Sequence, residues 1–330
     1  EQSDELLILY RRAEGLPWVL FDSHIDTVSL DGMTVEPLGG IEKDGRIWGR
    51  GSCDTKGSGA AMFRALREYS EGEGQNNNIA LLYSVDEERG MTGIQTFANT
   101  HYQNIGFDVK GVIVGEPTQL KPVVAHNGLV RYTVQTHGIA AHSANPSLGK
   151  SAISDMARLV VFLEEEFIPT CLSTHPLTGK AQCSINVIRG GTAANIIPDK
   201  CEIQIDRRVV PGESQSEAVH GIDGAMTEFQ KRFPESKVTW QQSVDTPALN
   251  DAVKTGFADN VLHILSSLGL PGEGTGATYG THAGDLQVAG FAAVVLGPGD
   301  IAQAHTKDEW IDTTELERSV EVYKQLMAGL

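Results

Sequence analysis

Apolar and polar positions alternate along this chain in two different rhythms. "ELLILYRR" and "PWVLFDSH" are strand-like apolar runs, and Ala13-Glu14-Gly15 between them predicts a hairpin connection. "SGAAMFRALREY" carries apolar residues at helical spacing, which predicts a helix from Gly57 to about Tyr69, ended by the polar "SEGEGQNNN". "IALLYSV" then reads as a strand, "TGIQTFANTHY" as a helix and "GVIVGEP" as another strand. Such alternation predicts an α/β fold, a mainly parallel sheet with helices on both faces.

After Pro122 the rhythm changes. "LVRYTVQTHG", "AQCSINVIRGG" and "CEIQIDRRVV" alternate like half-buried strands, and "KSAISDMARLVVFLEEEF" and "SQSEAVHGIDGAMTEFQKRF" are long amphipathic helices. This predicts an α+β unit, an antiparallel sheet with two helices on one face. From about Asp245 the first rhythm returns, with a helix at "AVKTGFADNVLHILSSL", the strand "FAAVVLG" and a last helix "TELERSVEVYKQLMAGL". Residues 1–127 and 244–330 are thus expected to form the catalytic domain, interrupted by a smaller insert over 128–243.

The bulk numbers narrow the function. A chain of 330 residues with a net charge of −17 is a poor partner for nucleic acid or an anionic membrane. No apolar stretch approaches the roughly 20 residues that cross a bilayer. No cationic-then-apolar leader stands after Glu1. Cys53, Cys171, Cys183 and Cys201 form no C-x-x-C pair, so they read as small or incidental residues of a reducing compartment, by default the cytoplasm.

The candidate chemistry sits where predicted strands end. "VLFDSHIDTV" puts His24 and Asp26 on one face of an extended segment, and a metal-binding imidazole commonly gives its second ring N–H to a carboxylate. Asp54 follows in "WGRGSCDTKGSG", Glu87 and Glu88 in "SVDEERG", Glu116 in "VIVGEPT" and His305 in "GDIAQAHTKDEW". Open α/β sheets bind ligands beyond the carboxyl ends of their strands. So many acids converging there need cations, and two imidazoles with carboxylates suit zinc while tolerating manganese or cobalt.

The order H-x-D, G-x-C-D-x-K-G, D-E-E-x-G, G-E-P-T and a late A-H resembles the dinuclear zinc aminoacylase and carboxypeptidase family, which includes acetylornithine deacetylase, succinyl-diaminopimelate desuccinylase and glutamate carboxypeptidase. The resemblance runs from about Leu7 to Trp310, and "LGPGDIAQAHTKDEW" is most similar to the acetylornithine deacetylase branch. It implies two Zn2+, or Co2+ or Mn2+ in their place, with Asp54 bridging them, His24 and Glu116 on one and Glu88 and His305 on the other. It implies that Asp26 orients His24, that Glu87 is the general base and that the peptide after Asp54 is cis. It further implies that His142 of the insert donates to the oxyanion from the second subunit of a homodimer. Arg208 and Asn195 would hold the free carboxylate of a small substrate, and Gly297 would admit the ligand to the backbone. Arg207, on the opposite strand face, reads as a structural partner of an acid.

Two departures stand out. The stretch before H-x-D is shorter than in family members, which implies an abbreviated start. His282 stands in "YGTHAGDL" where relatives more often carry an acid; this leaves the pocket wall open, and an extra metal ligand is one reading of it. The expected activity is amide hydrolysis of an N-acyl amino acid. A dipeptidase or carboxypeptidase of the same fold is the near alternative, and a non-catalytic relative the distant one.

Overall fold

The computed structural model describes residues 5–73, 75–251 and 256–330. The chain divides into two compact units, residues 1–126 with 249–330 and residues 127–248.

The first unit is built on a seven-stranded sheet. Its spatial order is Leu6–Tyr10, Asn78–Ser84, Trp18–His24, Val109–Val114, Ala293–Val295, Val123–His126 and Thr275–Ala277. The three strands from Asn78–Ser84 to Val109–Val114 run parallel, as does Ala293–Val295 beside the last of them. Their near-continuous apolar runs follow from burial on both faces. Val19, Phe21, Ile79, Leu81 and Ile113 pack into one core with helices α1 (Gly57–Glu71), α5 (Phe257–Ser267) and α7 (Thr313–Gly329). Their sequence neighbours Leu20, Ala80, Leu82, Val112 and Val114 pack on the other face, against Ile94 of α2 (Thr92–Thr96) and Leu286 of α6 (His282–Val288). Helix α1 buries Ala61, Met62, Ala65, Leu66 and Tyr69. It lies so close to the sheet that a Cβ at Gly59 would come within 2.8 Å of the Tyr83 ring.

The expected hairpin is not formed. Leu6–Tyr10 pairs antiparallel with Asn78–Ser84, which separates it from Trp18–His24. The connection that looked like a turn is held instead by Asn78, whose Oδ1 accepts from Arg12 N and Ala13 N at 2.7 and 3.2 Å. The "AVKTGFADNVLHILSSL" helix is present as α5; residues 252–255 of that expectation lie outside the described residues.

The second unit is an antiparallel sheet ordered Gln182–Gly190, Lys200–Val209, Gly128–His137 and Lys237–Thr246. Val130, Val134, Ile203 and Ile205 pack with Met156 and Leu159 of α3 (Ala152–Phe162) and Ile222 and Met226 of α4 (Gln215–Arg232). Both helices begin at a serine, Ser151 or Ser214, whose side chain accepts from a first-turn N–H. No described helix is long and apolar enough to cross a membrane.

Candidate metal centre

Five strand ends and loops of the first unit bring acids and imidazoles together. His24 ends its strand with its side chain 1% exposed, and its Nε2 lies 3.2 Å from Asp54 Oδ1 and 3.9 Å from Glu116 Oε1. His305, in the left-handed region with φ +60°, places Nε2 3.1 Å from Asp54 Oδ2 and 3.0 Å from Glu88 Oε1. Asp54 therefore turns one oxygen to each histidine. Ligand atoms of His24, Asp54 and Glu116 come within 4.8 Å of one another, and so do those of Asp54, Glu88 and His305. His24, Glu87 and Glu88 form a third such group. Imidazole nitrogens and carboxylate oxygens without thiolate are the donor set of zinc, cobalt or manganese. Two groups sharing Asp54 fit a pair of such ions.

Charge explains why the cluster calls for cations. Burial raises the Glu116 carboxyl well above its usual range, opposed by the positive charge of a protonated His24 and reinforced by Asp54 and Glu87. Burial also carries Glu87 up to about 7, against the charges of His24 and His282. His305 is lifted to about 10 by its hydrogen bonds to Asp54 and Glu88, which outweigh its desolvation. Desolvation disfavours the charged form of Asp54, yet its bonds to His24 and His305 hold it well below the carboxylate range. Protons on the histidines thus neutralise in part what divalent ions would neutralise in full.

The run Asp86-Glu87-Glu88 divides its labour. Asp86, with φ +65°, closes the turn by accepting Met91 N at 2.8 Å, and its carboxylate takes the Thr92 hydroxyl at 2.6 Å. Glu88 meets His305, whereas the Glu87 carboxylate has no hydrogen-bond partner among the described residues. Both glutamates are fixed through their backbone, since Asp26 Oδ1 accepts from Glu87 N and Asp26 Oδ2 from Glu88 N, each at 3.2 Å. Asp26 also lies beside His24, Oδ1 3.5 Å and its own carbonyl oxygen 3.1 Å from Nδ1. Burial raises the Asp26 carboxyl, but the bonds from His24, Glu88 and Glu87 prevail and bring it to about 2.

Two buried acids of this region were not legible as site residues. Glu309, fully buried, accepts from Arg50 Nη1 at 2.7 Å, Gly51 N at 3.1 Å, Cys53 N at 2.9 Å and Asp54 N at 3.0 Å. It thereby fixes the loop carrying Asp54, in which the Asp54–Thr55 peptide is cis. Its neighbour Trp310 pairs with Trp48 in a small antiparallel sheet. The only signal was an acid beside a strand-like Trp-Ile-Asp. Asp22, also fully buried, accepts from Ser84 Oγ at 2.8 Å and pairs with His282 Nδ1 at 2.8 Å. His282 is thus turned toward Asp22 and belongs to none of the three ligand groups. Gly297 is accounted for by packing, because a Cβ there would meet Glu116 O and Ser58 Oγ at 2.5 Å.

The remaining expected residues lie in the second unit. Asn195 and His142 come together where Ile196–Ile197 pairs with Ala141–His142, and Ser143 N donates to Asn195 O at 2.9 Å. His142 is exposed, and its Nδ1 accepts from Ala144 N at 3.1 Å, which leaves the proton of a neutral ring on Nε2. Arg208 points away from the helices and pairs with Asp206 at 2.8 Å. Arg207, 3% exposed, donates to Glu213 and to Arg208 O.

Comparison with known proteins agrees with this geometry. The family described as "Peptidase family M20/M25/M40" matches residues 20–329. A probable carboxypeptidase of Aspergillus clavatus is 32% identical over 96% of this chain and 76% of its own. An acetylornithine deacetylase of Myxococcus xanthus is 30% identical over 92% of this chain and 78% of its own. Among solved structures, the M20 family metallo-carboxypeptidase Sso-CP2 of Sulfolobus solfataricus shares the fold with a TM-score of 0.82. It is 15% identical, and the match covers 100% of this chain and 89% of that one. The chain belongs to peptidase family M20/M25/M40, and with its two ligand groups sharing Asp54 it is a metal-dependent hydrolytic enzyme.

Proposed function

We propose that the protein removes the acyl group from an N-acyl amino acid by hydrolysing its amide bond. The observation that carries this reading is Asp54 offering one oxygen to each of two ligand groups, with the Glu87 carboxylate beside them and without a hydrogen-bond partner among the described residues. His24 and Glu116 would hold one ion, Glu88 and His305 the other, and Asp54 both. When bound there, two divalent ions would supply a water acidified toward neutrality and a polarised amide carbonyl.

The chain's own residues do the rest. Glu87 takes a proton from water as the amide carbon is attacked and passes it to the leaving amine. Arg208 presents a two-pronged donor to the substrate carboxylate, helped by Asn195. His142 Nε2–H, reaching the site from a second copy of the chain, donates to the oxyanion. A strictly monomeric form with full activity would remove that role from His142.

Similarity to the Myxococcus acetylornithine deacetylase supports the deacylase reading. Similarity to the Aspergillus probable carboxypeptidase supports a second one, release of a carboxyl-terminal residue from a peptide. Both recognise a carboxylate, so substrate alone separates them. The zinc-loaded protein, screened against N-acetylornithine, other N-acyl amino acids, N-succinyl-diaminopimelate and dipeptides, is expected to turn over an N-acyl amino acid fastest. Faster cleavage of the dipeptides would replace the first reading by the second. Titration of the metal-free protein is expected to end at two equivalents, whereas one equivalent would remove the shared role of Asp54. Arg208→Met is expected to lower kcat/KM roughly 10–100-fold through KM, the worth of a charged hydrogen-bond pair. An unchanged KM would dismiss Arg208 as the carboxylate site.

A further inference from the structure

The second unit contains a pair of cysteines that the hydrolytic chemistry does not use. A short antiparallel ladder pairs Thr174 with Lys180 and His175 with Gly179, and Ala181 N donates to Ser173 O at 2.9 Å. The ladder ends there, because Leu172 N turns back to Thr170 O, but the turn Ile168–Thr170 just before Cys171 packs against the strand Gln182–Gly190 that carries Cys183. A disulfide needs Cβ atoms roughly 3.5–4.5 Å apart, a span that two thiols meeting at the edge of one core can close. Both cysteines belong to the core under α3 and α4, Cys183 buried and Cys171 at its half-exposed margin. Each thiol lies near enough to the other to shift its ionisation, and the Cys171 thiol also faces Phe167 O at 4.0 Å. On the far side of Cys183 the ladder places Arg207, whose buried guanidinium donates to Glu213 and Arg208 O and brings a positive charge near Cys171.

We propose that Cys171 and Cys183 are a peroxide-sensitive thiol pair that closes to a disulfide within the second unit. The Cys171 thiolate attacks one oxygen of a hydroperoxide, the O–O bond breaks, and a sulfenic acid forms as water or alcohol leaves. The Cys183 sulfur then attacks the Cys171 sulfur, its proton leaves with the sulfenic oxygen as water, and the S–S bond forms. Two thiols are oxidised by one peroxide, which is reduced by two electrons. The environment assigns the order of events. The neighbouring Cys183 thiol, with the Arg207 charge, outweighs burial and lowers the Cys171 thiol to about 7. The Cys171 thiol and burial push Cys183 up. Cys53 and Cys201 are fully buried or nearly so, and burial raises both.

The test treats the whole protein with hydrogen peroxide near neutral pH, blocks remaining thiols with iodoacetamide and maps the peptides by mass. The expected product joins the Cys171 and Cys183 peptides, lacks two hydrogens and reverts with dithiothreitol. Without peroxide, iodoacetamide is expected to label Cys171 about tenfold faster than Cys53 or Cys201. Cys183→Ala is expected to slow the oxidation of Cys171, whose lowering neighbour is gone, and to stop what forms at the sulfenic acid, captured by dimedone. Should that variant not fold, Cys171→Ser serves instead and is expected to leave Cys183 unoxidised. Over-oxidation of Cys171 without the cross-link, or equal oxidation of all four cysteines, overturns the proposal.

Discussion

Glu87→Gln is expected to lower kcat by about 10²–10⁴-fold, the usual worth of a general base, while the protein still takes up two divalent ions. The reasoning starts from the contrast between neighbouring side chains. Glu88 meets His305 at 3.0 Å, in the group that also contains Asp54. Glu87 is desolvated to the point that its carboxyl reaches about 7, mainly through burial. A carboxylate in that state accepts a proton near neutral pH far more readily than an ordinary one. Glutamine keeps the shape and the backbone anchors to Asp26 but cannot accept the proton. The rival role is concrete, because Glu87 also falls within a ligand group with His24 and Glu88. Parallel measurement of kcat and metal content separates the two. Loss of one equivalent of metal would make Glu87 a ligand, and a near-normal kcat would make it a bystander.

The parts of this enzyme that were legible in its sequence are those where one residue type answers to one local demand. Runs such as "VLFDSH" and "IALLYSV" must be buried on both faces, and they are, with Leu20 and Phe21 in opposite cores. Acids and imidazoles at strand ends are conspicuous because they follow apolar runs, so His24, Glu88 and Glu116 stood out. Pairing across long separations is a different matter. The Leu6–Tyr10 strand has its partner near residue 80, and its following loop is tied down by Asn78, a residue with no local mark. Asp22 lies inside an apolar strand and meets His282 some 260 positions away, so neither residue predicts the other. Glu309 was hidden for the opposite reason: in the polar run "HTKDEW" it resembles any solvated acid, and only the tertiary fold surrounds it with Arg50 and three backbone N–H groups.

Glu309→Ala is therefore expected to be among the most damaging single changes outside the ligand set. Arg50 Nη1, 2.7 Å away on a side chain 4% exposed, would be left as a buried charge without its carboxylate. Breaking a buried ion pair by removing one partner costs about 3–5 kcal/mol. The amides of Gly51, Cys53 and Asp54 would also lose their acceptor, and a buried unsatisfied donor costs about 1–3 kcal/mol. Such terms overlap, and relaxation of the loop limits their sum. That relaxation is the second consequence: Asp54 would no longer be held where both histidines meet it, so metal affinity falls together with stability. Glu309→Gln keeps one oxygen to accept from Cys53 and Asp54 but turns an amide toward Arg50, and its effect should be intermediate. Denaturant midpoints and metal titrations on the two variants read these effects separately. A Glu309→Ala protein with both the parent's midpoint and the parent's metal affinity would show that the Asp54 loop is held by something else. Full stability with weakened metal binding would show that Glu309 acts only by placing Asp54.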